Sequence, residues 1–218
     1  MKILEEKRYA LLLAANDSEY VKKVYGGYFN VFVDALGDIE GEKWDLFRVV
    51  EGEFPKIEDL QNYEGFVILC RALGGKVAKS YSGWDIGIRK LSLTEDFYSH
   101  GFYDGLDEIP PILSIIECHQ DEVWEVPVGA RILGYSVKTG VEMFAFGENI
   151  LGIQGHPEYT KDILDNLIDR LVSNDSIERG FAEEAKLQLK KAEPDRKYWE
   201  RICKAFLKGR WSQLPTYF

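Results

Sequence analysis

The strand–helix rhythm of this chain stops after its third strand, and that break constrains the fold more than any other feature. Arg8-Tyr-Ala-Leu-Leu-Leu-Ala-Ala15 is a continuous apolar run that ends in Asn16-Asp17-Ser18. It reads as a strand buried on both faces and followed by a helix cap. Glu19 to Leu36 is helix-like, weakened at Gly26 and Gly27. Trp44 to Val50 alternates as a second strand, Ile57 to Leu60 is a turn or short helix, and Gly65 to Leu69 is a third buried strand. This is the opening of a parallel α/β sheet. A fourth parallel strand needs a crossover of at least about a dozen residues. After Cys70 the chain instead runs Arg71-Ala-Leu-Gly-Gly-Lys-Val77, with no room for that crossover and strand.

A hairpin-rich region comes next. Ile86 to Leu93 alternates, Ile112 to Glu117 is a short apolar run, and Ala130 to Val137 and Val141 to Phe146 are strand-like. Gly147-Glu148-Asn149 reads as a tight turn into Ile150 to Gln154. The C-terminal part is helical. Ile163, Leu164, Leu167, Ile168, Leu171 and Val172 make a stripe at helical spacing, with Thr160 as N-cap. Ile177 to Ala192 and Asp195 to Gly209 read as two more helices.

A formal net charge of −10 argues against nucleic acid or an anionic membrane as a partner, since both call for a basic surface. Lys186 to Arg210 does carry nine basic residues against three acids, but apolar positions run through it, so it reads as a solvated helix face. Three scattered cysteines, Cys70, Cys118 and Cys203, form neither a disulfide framework nor a metal-type spacing. The first residues lack the apolar core of a signal peptide, and the run Tyr9 to Ala15 is too short to span a membrane. A cytosolic protein is the expectation.

The chemistry concentrates in Ile150-Leu-Gly-Ile-Gln-Gly-His-Pro-Glu-Tyr159. An apolar run ends at Gly155 and then presents His156 and Glu158, two members of a nucleophile–base–orienter triad. His156 also reads as a polar residue at a strand exit bonded to Glu158. Glu117, His119 and Asp121 alternate on one strand face, a pattern more typical of solvated or hydrogen-bonded carboxylates than of a metal site, so no metal is expected. Cys118 adjoins His119, but neighbouring strand residues point to opposite faces. Cys203 and Trp84 read as packing residues.

Gly152-Ile-Gln-Gly-His-Pro-Glu158 resembles the His-Pro-Glu motif of class I glutamine amidotransferases, and Glu117-Cys-His-Gln-Asp-Glu-Val123 resembles the His-x-Asp segment that precedes it. Val141 to Phe146 looks like the strand between them. The chain's opening, Ala72-Leu-Gly-Gly-Lys76, Gly83-Trp-Asp-Ile-Gly87 and Ala192-Glu-Pro-Asp-Arg196 resemble, more narrowly, the plant gamma-glutamyl peptidases. The resemblance implies a class I amidotransferase-like, flavodoxin-like three-layer α/β fold over 1–218 as one domain, with 176–218 as a C-terminal helical extension of it. It also implies hydrolysis of gamma-glutamyl bonds, as in glutathione conjugates on the glucosinolate and camalexin routes, with no cofactor. His156 would be the base, Glu158 would orient it, and His119 and Asp121 would lie near the substrate's alpha-amino and alpha-carboxylate side.

The family's nucleophile is a cysteine in a Gly-x-Cys-x-Gly elbow at the end of a fourth strand. Here Ile68-Leu-Cys-Arg-Ala-Leu-Gly-Gly-Lys76 resembles only the stretch C-terminal to that elbow. The oxyanion loop, the next helix, the fourth strand and the nucleophile are expected to be missing at a join near 67–69, as a skipped exon or gene-model error would produce. Cys70 has Ile68 and Ala72 in place of the elbow glycines and aligns with a core-facing helical residue, so it reads as a structural thiol. The expectation is a protein with little or no activity. The alternatives are a non-catalytic binder of a small gamma-glutamyl ligand, a regulatory partner of an intact relative, or an unstable truncated isoform.

Overall fold

A computed structural model describes residues 6–38, 41–68 and 76–209. Cys70, most of the segment Ala72 to Lys76 and the end of the join near 67–69 lie outside the described residues. The chain divides into two compact units, one comprising 1–70 with 201–218 and the other 71–200. The division falls beside the expected join.

In the first unit, β1 (Lys7–Leu13) lies between β2 (Glu42–Arg48) and β3 (Gly65–Ile68) in a parallel sheet of order β2-β1-β3. The apolar run that defines β1 is central, with Tyr9, Ala10, Leu11 and Leu13 buried. The expected single helix between β1 and β2 is two: α1 (Glu19–Tyr25) and α2 (Tyr28–Leu36). Ser18 caps α1 by accepting from the Val21 N–H at 3.1 Å, and Gly26 ends it at φ 78°, a left-handed conformation that glycine adopts without a Cβ clash. Asp17 then starts α2. Its carboxylate accepts from the Tyr28 N–H at 2.6 Å and pairs with Arg48 at 3.3 Å. Phe32, Ala35 and Leu36 pack with Leu11 into the unit's core, against which Val67 and Cys203 also lie.

The second unit opens with β4 (Lys76–Lys79), β5 (Asp85–Leu93), the single-turn α3 (Glu95–Tyr98), β6 (Ile112–His119) and β7 (Asp121–Glu125). It continues through β8 (Ala130–Ser136), β9 (Met143–Phe146), β10 (Ile150–Ile153), α4 (Lys161–Ser173) and α5 (Arg179–Lys191). α6 (Arg196–Lys208) has its first residues in this unit and the rest in the other. The main sheet has the order β10-β9-β8-β5-β6 and is antiparallel throughout; β4 and β7 form a separate two-stranded ribbon. No sequence pattern pointed to β4, because four residues with lysines at both ends carry no apolar run. The expected single strand face of Glu117, His119 and Asp121 is corrected: β6 ends at His119, and Asp121 starts β7 in a different sheet.

Ile86 and Ile116 share a core with Leu164, Ile168 and Leu171 of α4 and with Ala182, Ala185 and Leu189 of α5, with Trp84 and Cys118 packed against it. The apolar stripe read in the sequence is thus the buried face of α4. Thr160 occupies the cap position, although its side chain makes no capping hydrogen bond.

Replacing Asp17 by alanine removes the acceptor at the start of α2 and strands Arg48. We expect Asp17→Ala to lower stability by about 1–2 kcal/mol, and Asp17→Asn, whose amide oxygen still accepts, to lose less. Urea denaturation of the three proteins checks this; equal losses for both variants would refute a capping role.

Candidate active site

The outer edge of β6 holds the site together. Among the described residues this strand ends the sheet, so every second backbone group on one side lacks a strand partner. Three other segments supply partners. Asp195 accepts from the Ser114 N–H at 2.7 Å through its carboxylate, and its own N–H donates to the Ser114 carbonyl at 2.8 Å. The buried Trp199 indole donates to the same carbonyl at 3.0 Å. Two residues further along, the Ile116 carbonyl accepts the His156 N–H at 2.8 Å. That bond ties the turn after β10 to β6.

His156 and Glu158 form the expected pair. Nδ1 of His156 lies 2.9 Å from Oε1 of Glu158, and Glu158 is buried. With Nδ1–H donating to the carboxylate, Nε2 is left as the basic nitrogen. The imidazole also lies flat on the Tyr159 ring, 3.9 Å between centroids and 2° between planes. The ring is therefore held by a hydrogen bond, a stack and a backbone anchor at once. Tyr159 carried no signal in the sequence beyond its place directly after the motif.

Gly155 has a steric reason to be glycine. A Cβ there would come within 2.4 Å of the Glu117 carboxylate and 2.8 Å of Ile115 Cδ1. On β6 the side chains alternate. Ile116 and Cys118 face the helical core, while Ile115, Glu117 and His119 face the other way. The Cys118 thiol is pushed up to about 12 by burial, which keeps it protonated and unreactive. Its divergence from His119 matches the strand-face reading. Cys203 lies against the apolar core of the first unit.

His119 and Asp121 are brought together, but not by their functional ends. Nδ1 of His119 donates to the Asp121 backbone carbonyl at 2.9 Å. Nε2 lies 3.2 Å from Glu117 Oε2 and 3.3 Å from the Gln154 amide nitrogen, whose oxygen accepts from the Val123 N–H. The residue that sequence reasoning missed is Glu142, which precedes β9 and joins Glu117 and His119 in one cluster. Glu117 and Glu142 are both buried, and burial pushes each up to about 8; His156 partly offsets this for Glu117, while the Glu117 charge adds to it for Glu142.

No protein-family model matches the chain. It is 46% identical to gamma-glutamyl peptidase 5 of Arabidopsis thaliana over 96% of this chain and 99% of that protein. It is 42% identical to gamma-glutamyl peptidase 3 of the same plant over 95% and 99%. The first alignment spans 250 positions, more than the 218 residues present, so about forty of its positions hold residues of the relative with no counterpart here. Among solved structures, a glutamine amidotransferase from Thermotoga maritima matches with a TM-score of 0.63 at 15% identity, covering 94% of this chain and 97% of that one. At that identity the likeness shows the fold, a class I glutamine amidotransferase domain.

The close packing around Gly155 makes its replacement costly. Gly155→Ala should lose about 1–3 kcal/mol, as overpacking of a filled core does, and thermal melts of the variant should show it; an unchanged midpoint would mean Glu117 has room to move. The buried acids make stability depend on pH. A carboxyl whose folded pKa is raised holds a proton that the unfolded chain has released, so stability falls as pH rises from about 4.5 toward about 8. Each such group contributes a slope of about 1.4 kcal/mol per pH unit at most. In metal-free buffer, Glu117→Gln should flatten this decline; a wild-type stability that rises over the same range would contradict the assignment.

Proposed function

This chain belongs to the gamma-glutamyl peptidase family of class I glutamine amidotransferase-like proteins, and from that membership we propose that it keeps the family's base and orienter but does not hydrolyse gamma-glutamyl bonds. The intact reaction needs a thiolate to attack the gamma-carbonyl, a histidine to take the thiol proton and return it to the leaving amine, and water to release the thioester. His156 and Glu158 are built for the second role. The observation that carries the reading is that no described thiol suits the first. Cys118 sits under an apolar core with its pKa pushed up to about 12, and Cys203 packs into a core of its own.

The alignment lengths support the same reading. About forty aligned residues of the relative lack a counterpart, enough for a crossover helix and one further strand. Such a loss in the region of the nucleophile would remove the elbow together with the backbone donors that stabilise an oxyanion. Loss of a nucleophile alone costs about six orders of magnitude in kcat in a triad hydrolase.

The surviving edge with its oriented imidazole fits a binder of a small gamma-glutamyl compound, with His119 and Asp121 at its amino-acid end. We assign this protein to the cytosol, in line with its acidic composition; no helix among the described residues is long and apolar enough to cross a membrane.

Incubation of the purified chain with glutathione tests the proposal. We expect no glutamate above the buffer blank, about 10⁶-fold below an intact relative, and saturable glutathione binding by calorimetry that His119→Ala weakens. Turnover that Cys70→Ser abolishes would overturn the reading and make Cys70 the nucleophile.

A further inference from the structure

The second unit buries four carboxylates, Asp85, Glu117, Glu142 and Glu158, of which Glu158 is paired with His156. Asp85 accepts from Arg89 Nε at 2.7 Å and has Lys138 Nζ at 3.7 Å. Glu117 and Glu142 have no such partners. Both oxygens of each are shielded from solvent and without a hydrogen bond of normal geometry, although the Ser136 hydroxyl lies beside Glu142 and favours its charged form. A buried carboxylate in that state costs several kcal/mol unless a proton or a cation joins it.

His119 completes the arrangement. Its Nδ1–H is committed to the Asp121 carbonyl at 2.9 Å, so the lone pair lies on Nε2. Donation of the far ring nitrogen to a carbonyl is how metal-binding histidines are held in one tautomer. Nε2 faces Glu117 Oε2 at 3.2 Å, a contact that needs a proton or a cation between the two atoms, beside a long 3.3 Å contact from the Gln154 amide. Donor atoms of Glu117, His119 and Glu142 all lie within 4.8 Å of one another. Ligands around a tetrahedral zinc ion at about 2.0 Å stand about 3.3 Å apart, so the Glu117–His119 spacing already fits, and Glu142 would close in from within 4.8 Å. The His119 side chain is 13% exposed, which leaves a way in, whereas the glutamates are closed off.

Charge decides the class of ligand. Two carboxylates and a neutral imidazole cancel a double positive charge, so a divalent cation would make this buried cluster neutral where it is now a concentration of uncompensated acceptors. One nitrogen and two carboxylate oxygens suit Zn²⁺ better than Ca²⁺ or Mg²⁺, which take oxygen ligands in larger number or keep their water. Asp121, which the sequence pattern grouped with Glu117 and His119, gives only its backbone carbonyl to the histidine, and Glu142 takes its place.

We propose that Glu117, His119 and Glu142 form a binding site for a divalent cation of the Zn²⁺ type. The proposal does not depend on whether the chain hydrolyses or binds gamma-glutamyl compounds. It is tested on the full chain after chelator treatment, by calorimetric titration with Zn²⁺ and by the absorption spectrum with Co²⁺. We expect one equivalent of Zn²⁺, with affinity reduced at least about 100-fold in Glu142→Gln and in Glu117→Gln. The glutamine variants keep side-chain volume and remove a buried charge. As a measurement independent of them, Co²⁺ in the wild-type protein should give intense tetrahedral bands without a thiolate charge-transfer band. Absence of binding, wild-type binding by both glutamine variants, or a thiolate band would each overturn the proposal.

Discussion

The open edge of β6 is the constraint on which the candidate site depends. An edge strand that is neither paired nor covered recruits other chains. Here the edge is closed piecemeal, by Asp195 and Trp199 at Ser114 and by His156 at Ile116. The first docks the segment leading into α6 on the sheet. The second fixes the backbone of the residue that carries the imidazole, so that Glu158 and Tyr159 need only set the ring's tautomer and tilt. Strand alternation does the rest. It sends Ile116 and Cys118 into the helical core and turns Glu117 and His119 toward the site.

Much of this was legible because the local signals agree with one another. The apolar run at Arg8–Ala15, the Ser18 cap and the stripe on α4 each specify an element by period and punctuation alone. The paired glycines at 26 and 27 marked a weakness and proved to be a full helix break, because Asp17 supplies an external acceptor for the second helix. The illegible part lies in contacts between distant segments. Glu142 stands far along the chain from Glu117 and reads as an ordinary strand-flanking acid. It comes near β6 because the Gln154 N–H bonds the Glu142 carbonyl while His156, two residues on, bonds Ile116 of β6, and no period or spacing announces that. The two-stranded ribbon of β4 and β7 was hidden for the opposite reason, since its strands are short and charged.

The separation into two units bears on what a missing stretch of chain would damage. A parallel sheet depends on long crossovers, and the first unit has three strands with β3 as an outer one. The second unit's sheet is antiparallel, and two of its four neighbouring pairs, β8–β9 and β9–β10, are joined by short connections. Its hydrogen bonds need nothing from the other sheet. His156, Glu158, Tyr159, Glu117, His119 and Glu142 all belong to this second unit. The base, its orienter and the buried acids are therefore all held within this one unit.

That independence would let a family site persist in part. A triad is a geometric assembly, and its members come from separate elements. Removing the element that carries the nucleophile leaves the base with its tautomer, its stack and its backbone anchor, because none of those is supplied by the nucleophile. It does not leave the electrostatics untouched. Glu117 feels the His156 charge and in turn crowds Glu142. A buried acid cluster with few donors is tolerable only if a proton, a ligand or an ion occupies it.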